Sequence, residues 1–156
     1  MAMRTTRLAP GDHALYAGML DLFGEAFAER DTYGARRPGP AYVERLLGNR
    51  AFVALVALDG DRVIGALAGY ELAKFEQERS EFYIYDLAVA ETHRRRGVAT
   101  DLIAAFRDIA AQAGGWVVFV QADHGDDPAI ALYSKLGTRE DVLHFDIAVD
   151  PSSAPR

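Results

Sequence analysis

Apolar positions along this chain alternate between helical spacing and short strand-length runs, and the changes fall at Gly, Pro and Asp. Met3 to Leu8 reads as a short first strand, and Pro10-Gly11-Asp12 is a turn and N-cap signal. Leu15, Met19, Leu22, Phe23, Ala26 and Phe27 then recur at helical intervals. Arg30 to Pro40 is polar and carries Gly34, Pro38, Gly39 and Pro40, so it is expected to be a loop, flexible enough to close over a substrate. A short helix is predicted from near Ala41, with Tyr42, Leu46 and Leu47. The apolar runs Ala51 to Leu58 and Arg62 to Leu72 flank Asp59-Gly60-Asp61, a tight-turn sequence that makes them antiparallel neighbours. After the charged connection Lys74 to Ser80, Glu81 to Val89 is apolar on both faces except at Asp86, the pattern of a central strand.

Val98, Leu102, Ala105, Phe106, Ile109 and Ala113 mark a long helix that Gly114-Gly115 would stop in the left-handed conformation. Trp116 to Val120 is a fully apolar fifth strand, so the span from Glu81 to Val120 is a strand-helix-strand unit with parallel strands. Asp127 and Pro128 serve as cap and first residue of a further helix carrying Ile130, Tyr133 and Leu136 and ending at Gly137. Thr138 to Asp150 is expected to give one or two final strands. The fold class is therefore α/β, a central mixed twisted sheet flanked by about four helices. Residues 1–150 form a single domain without repeats or linkers, and residues 151–156 a flexible C-terminal tail.

Composition narrows the function. A chain of 156 residues with 50% hydrophobic content can build a sizeable core, so disorder is excluded. Its 17 Lys plus Arg against 23 Asp plus Glu give a net charge of −6, which disfavours nucleic acid and suits a cationic partner. With no Cys, thiolate catalysis, disulfides and cysteine metal sites are ruled out. His13, His93, His124 and His144 lack zinc-site spacing, and no metal is expected. No apolar signal core or membrane-length run is present, so a cytoplasmic protein with no membrane partner is the expectation. The apolar pattern near the C-terminus also suits a homodimer.

Candidate chemistry concentrates between Asp86 and Thr100. Gly97 lets backbone N–H groups approach a ligand, and the amides of Val98, Ala99 and Thr100 open a helix where they have no intrahelical acceptor. Arg94, Arg95 and Arg96 and the helix dipole add positive charge, an arrangement suited to a phosphate. The competing reading is a solvated basic run before an ordinary helix. Asp86 is the one charge inside its apolar strand; an unpaired buried carboxylate would cost several kcal/mol, so it needs a cationic or donor partner. That partner is either a substrate ammonium or a structural arginine or loop donor.

These residues resemble the GNAT superfamily of acetyl-CoA-dependent N-acetyltransferases. The pyrophosphate signature of that family, Arg or Gln, two residues, Gly, one residue, Gly or Ala, is matched by Arg94, Gly97 and Ala99. A second signature, usually Asn, then Tyr six residues on and Gly, is matched by Asp127, Ala129, Leu132, Tyr133 and Gly137, with Asp127 where Asn is common. Leu20 to Gly24, Lys74 to Gln77, Tyr83 to Val89, Val120 to Asp123, Gly125 to Pro128 and His144 to Asp146 further resemble the gentamicin-modifying aminoglycoside 3-N-acetyltransferases of GNAT fold.

The resemblance implies acetyl transfer from acetyl-CoA to a primary amine, most specifically the 3-amino group of a 2-deoxystreptamine aminoglycoside, by direct attack in a ternary complex. The site must then hold an ammonium, take its proton, stabilise an oxyanion and protonate a thiolate. Asp86 is assigned the first two tasks, and amides of Leu87, Ala88 and Val89 the oxyanion and the pantetheine arm. Tyr133 is the expected acid toward sulfur, against the reading that its ring merely packs in the core. Arg94 to Thr100, Asp127 and Ala129 are assigned to the cofactor. Asp123, Asp126, Glu140, Asp141 and Asp146 are candidate contacts for a cationic acceptor, expected at strand ends beside Asp86, the plain alternative being a solvated acidic surface. His124 is a lone loop histidine, and Tyr83, Tyr85 and Trp116 are assigned to packing. Rival functions are acetylation of polyamine or protein amines, and a non-catalytic acetyl-CoA sensor module.

Overall fold

The apolar runs form one five-stranded sheet in the order β1-β2-β3-β4-β5 in the computed structural model, which describes residues 3–150 and Ser152. The strands are β1 (Met3–Arg7), β2 (Phe52–Asp59), β3 (Arg62–Ala73), β4 (Ser80–Val89) and β5 (Gly115–Val120). The helices are α1 (His13–Ala26), α2 (Arg30–Gly34), α3 (Pro40–Gly48), α4 (Val98–Gln112) and α5 (Asp127–Leu136). β1 to β4 pair antiparallel in succession, and β4 and β5 pair parallel across α4, so the sheet is mixed as expected. The predicted hairpin joins β2 to β3 through Gly60 at φ 62°. The expected tail, residues 151–156, lies outside the described residues apart from Ser152. The chain divides into two compact units, residues 1–121 and 122–156.

In the first unit, β2 is buried along both faces because helices cover each side of the sheet. Phe52, Ala54, Val56 and Leu58 point into a core shared with Met19, Leu22 and Phe23 of α1 and Val43 and Leu47 of α3. On the opposite face α4 lies so close that a Cβ on Gly65 would come within 2.7 Å of Val98 and 3.2 Å of Leu102. Phe106, fully buried, stacks edge-on with Phe82 at 5.7 Å between ring centroids. Removing an aromatic ring from such a position costs about 3–5 kcal/mol.

Two expectations are corrected. Arg30 to Pro40 is not wholly irregular: its first five residues form α2. The helix is stabilised by packing of Tyr33 on Phe23 and Phe27, an interaction with no periodic signature in a segment this short. In the second unit, α5 is present but Thr138 to Asp150 forms no strand among the described residues. The segment has the alternation of a strand, but a strand exists only through a ladder partner, which composition cannot supply.

Candidate active site

The site begins where β4 parts from its neighbour. β5 pairs with β4 only from Ser80 to Ile84, so among the described residues the β5-facing edge of Tyr85 to Val89 has no ladder partner. On the other side the register slips: Ala68 faces Asp86 and Gly69 faces Ile84, so Tyr85 is the extra residue of a bulge. A bulge bends the strand and re-aims its side chains, and Tyr85 is 62% exposed. Gly69 is required there, since a Cβ would sit 2.6 Å from both the Phe106 ring and the Tyr83 carbonyl oxygen. The free edge spans Leu87, Ala88 and Val89, the residues assigned as backbone donors.

Asp86, next to the bulge, is half-buried. Its Oδ2 accepts a hydrogen bond from the Tyr33 hydroxyl at 2.8 Å, and no ion pair reaches it among the described residues. The structural-arginine reading therefore fails, and the donor that the carboxylate requires is a neutral phenol. Burial pushes the Asp86 carboxyl up, the Tyr33 hydrogen bond pulls it down, and the nearby Glu29 charge pushes it up again. Tyr33 is raised by burial and by its bond to Asp86. The phenol is itself anchored: its ring lies 5.8 Å from Phe23 and 5.9 Å from Phe27, and its carbonyl accepts from Arg37 Nε at 2.9 Å. Arg37 also pairs with Asp21 of α1. Tyr85 lies edge-on to Tyr70 and Tyr83 at 6.0 and 5.8 Å, which makes these rings an aromatic cluster beside Asp86 with Tyr85 turned outward. The expectation that Tyr85 and Trp116 serve only as packing is revised, since Trp116 is 55% exposed with the Arg79 guanidinium 4.2 Å above its ring.

The basic turn follows β4 directly. A short 3₁₀ turn over Glu91–His93 leads to Arg94, Arg95 and Arg96, all exposed. Arg95 at φ 62° and Gly97 at φ 79° take the left-handed conformation, and open space surrounds the position of a Gly97 Cβ. The first helical bond of α4 runs from Asp101 N–H to Gly97 O at 2.9 Å, so the amides of Val98, Ala99 and Thr100 precede it. Arg94 donates from Nε to Val89 O at 3.3 Å, fastening the turn to the free edge of β4. His93 is buried and bonded to Thr92 Oγ1 at 2.8 Å and to Asp59 Oδ2 at 3.0 Å. His93 holds the Asp59 carboxyl below its ordinary range, with a smaller contribution from Arg96.

The second unit carries Tyr133 on α5, half-buried. Burial, with Asp126 adding to it, pushes its hydroxyl up to about 12. The cap of α5 is Asp126, one residue before the expected Asp127, because Asp126 Oδ1 accepts from Ala129 N–H at 3.3 Å. That bond occupies the Ala129 amide and turns the Asp126 carboxylate toward its own helix. Asp127 stands exposed in the first turn, and Asp123 accepts the Asp126 N–H on its carbonyl at 3.2 Å. Glu140, Asp141 and Asp146 are exposed on a segment without regular secondary structure rather than on strands. Asp141 pairs with Arg139 at 2.8 Å and Asp146 with His144 at 2.9 Å. No group of three or more His, Asp or Glu poised for a metal occurs among the described residues.

Residues 17–138 match the acetyltransferase (GNAT) family. The chain belongs to that family. Among solved structures, this GNAT chain is similar to the aminoglycoside acetyltransferase HMB0005 from an uncultured soil metagenomic sample, at 55% identity and a TM-score of 0.94, covering 96% of this chain and 100% of that one. It is also similar to the aminoglycoside acetyltransferase meta-AAC0020, from an uncultured soil metagenomic sample and crystallised with sisomicin, at 30% identity and a TM-score of 0.87 over 95% and 97% of the two chains. The uncharacterized N-acetyltransferase YhfO of Bacillus subtilis is 26% identical over 92% of this chain and 95% of its own. The fold is the GNAT acyl-CoA fold, a mixed sheet flanked by helices, and it implies acetyl-CoA as cosubstrate.

The arrangement around Gly97 fits that cosubstrate. Unbonded amides at the head of α4, a left-handed Gly97 with open space above it and three exposed arginines are the donor set a diphosphate needs. Three contributors escaped the sequence reading. Tyr33 had one visible signal, as the sole aromatic residue of the polar stretch Arg30 to Pro40. Glu29 had none. The Asp59–His93 bond joins a hairpin end to a turn 34 residues away in sequence, a pairing that local patterns do not encode.

Proposed function

We propose that this GNAT acetyltransferase transfers acetyl from acetyl-CoA to a primary amine of a polycationic acceptor, and that the acceptor is a 2-deoxystreptamine aminoglycoside modified at its 3-amino group. The observation that carries the reading is Asp86, a half-buried carboxylate whose protein partner is a neutral phenol and which shares its surroundings with the Glu29 charge. An ammonium group supplies the cation this pair lacks. Similarity to HMB0005 and to the sisomicin-bound meta-AAC0020 supports the acceptor class. The regiochemistry rests on the sequence resemblance alone.

In this reading acetyl-CoA supplies the acyl group, held at its diphosphate by Arg94, Arg95, Arg96 and the amides from Gly97 to Thr100. Asp86 draws the acceptor ammonium toward the free edge of β4 and takes its proton, because only the neutral amine is nucleophilic. A raised carboxyl is a better proton acceptor at neutral pH than an ordinary aspartate. Amides of Leu87 to Val89 donate to the charge that develops on the carbonyl oxygen. Tyr133, whose hydroxyl stays protonated across the working range, donates a hydrogen bond to the departing sulfur. Asp127 belongs to the cofactor side, Asp123 and Glu140 to the acceptor side, and the ion-paired Asp141 and Asp146 to a solvated acidic surface. The protein works in the cytoplasm alongside its thioester cosubstrate.

The test is a thiol-release assay with acetyl-CoA over gentamicin-type drugs, spermidine and amino-terminal peptides, followed by NMR location of the acetylated nitrogen. The highest kcat/KM is expected with the drug and the label on its 3-amino nitrogen. Spermidine or peptide as the better acceptor transfers the reading to polyamine or protein amines, and absence of thiol release with every amine leaves only an acetyl-CoA-binding module.

A further inference from the structure

The basic turn carries backbone strain that its surroundings must hold. Arg95, a residue with a Cβ, sits at φ 62°, two positions before Gly97 at φ 79°. Left-handed backbone disfavours such a residue by about 1–2 kcal/mol, and the conformation persists only where the structure around it imposes it. The turn's backbone bonds, His93 N–H to Ala90 O at 2.9 Å and Arg94 N–H to Glu91 O at 3.4 Å, both precede the strained residue.

Among the described residues from Glu91 to Gly97, only His93 is buried. Its Nε2 lies 3.0 Å from Asp59 Oδ2 and its Nδ1 2.8 Å from Thr92 Oγ1. A carboxylate can only accept, so Nε2 carries a proton and donates, and Nδ1 of the neutral ring accepts from the Thr92 hydroxyl. One tautomer satisfies both bonds. Asp59 is fixed in turn by the sheet, as the β2 residue that faces Met3 of β1 and Arg62 of β3. The Asp59 carboxylate also feels the charge of Arg96. Arg95 is therefore bracketed, by His93 before it and Arg96 after it, and both are drawn to the same carboxylate at a corner of the sheet.

We propose that Asp59, acting through His93, is a positioning residue for acetyl-CoA: the pair fixes the turn from Arg94 to Gly97 in the shape that presents its guanidiniums and the following amides to the diphosphate. The inference rests on the reading of that turn as the diphosphate site. Neither side chain has to touch the cosubstrate. A turn released from this anchor must be ordered at each binding event, which weakens affinity. Once acetyl-CoA is bound the turn is ordered again, so the chemical step at β4 proceeds as before.

Calorimetric titration of coenzyme A into wild type, Asp59→Ala, His93→Phe and His93→Gln tests the pair. Asp59→Ala and His93→Phe are each expected to raise Kd about tenfold, as loss of one charge-assisted hydrogen bond does. The double variant should lose no more than either alone, because both changes break the same bond. His93→Gln keeps a side-chain N–H donor for Asp59 and should bind within about threefold of wild type. The KM for acetyl-CoA should rise with Kd while kcat at saturation stays within about twofold, a split that a merely structural role would not give. Should His93→Phe fail to fold, Asp59→Ala decides, since the Asp59 side chain is 42% exposed and lies outside the core. Unchanged Kd in folded Asp59→Ala, additive losses in the double variant, or His93→Gln binding no tighter than His93→Phe would overturn the proposal. Gly97→Val separates it from the reading beneath: normal coenzyme A binding there removes the diphosphate site and this pair's role with it. Weak binding by Gly97→Val beside normal binding by Asp59→Ala removes the positioning role alone.

Discussion

A carboxylate placed among apolar strand residues must either find a donor or give up its charge, and Asp86 does some of each. Tyr33 donates to it, yet burial and Glu29 still hold its carboxyl above the ordinary value of 3.8. Two outcomes follow at this scale. The Tyr33 bond favours the ionised form, so Tyr33→Phe removes a pKa-lowering contact. The acidic limb of the kcat/KM profile should then move to higher pH than in wild type, and an unmoved limb would show that Asp86 is not the group titrating. Asp86→Asn should lower kcat by about 10²–10⁴-fold, the usual range for a positioned proton acceptor, while calorimetry shows acetyl-CoA affinity unchanged. The same variant has a stability signature. A carboxyl raised in the folded state stabilises fully below its unfolded value and loses that contribution as pH rises through its folded value. Asp86→Asn should therefore melt above wild type at pH 7, with the gap closing as pH falls below 3.8.

Two elements set the geometry on which these residues depend, and each turns on a glycine. The bulge opposite Asp86 exists because Gly69 leaves room for the Phe106 ring and the Tyr83 carbonyl at 2.6 Å from where a Cβ would stand. Gly69→Ala must push against backbone and a buried ring. It should cost about 1–3 kcal/mol in denaturant unfolding, and lower kcat by re-aiming Tyr85 and Asp86. Gly97 is different, with open space around it, so the penalty of substitution comes from φ 79° alone. A β-branched residue there costs about 1–2 kcal/mol of backbone strain, and Gly97→Val should weaken acetyl-CoA binding more than it lowers the melting temperature. Equal loss in both would mean that the turn is structural. These elements were legible in part. The strand, basic turn and helix from Glu81 to Val120 follow from runs, charge and glycine placement, whereas the bulge and the early parting of β4 from β5 depend on register between strands.

For the whole molecule, a net charge of −6 would favour the proposed cationic acceptor through forces that salt screens over about 10 Å at 0.1 M. Acceptor kcat/KM should fall several-fold between low and 0.5 M salt, and a flat profile would mean that the outlying carboxylates are solvated surface. The sequence by itself determined the strands from β1 to β5, the hairpin, the parallel crossover and the basic, glycine-bearing turn, because hydrophobic period, turn glycines and contiguous charge are local quantities that survive in one dimension. It also singled out Asp86, since a lone charge in an apolar run is visible without coordinates. Tertiary structure decided what that charge meets. Tyr33 lies 53 positions away and reaches Asp86 through α2, a helix of five residues held by aromatic packing. Among the described residues the alternating positions after Thr138 form no strand. Pairing in space is a property of two segments at once, and a pattern in either one can state only its readiness to pair.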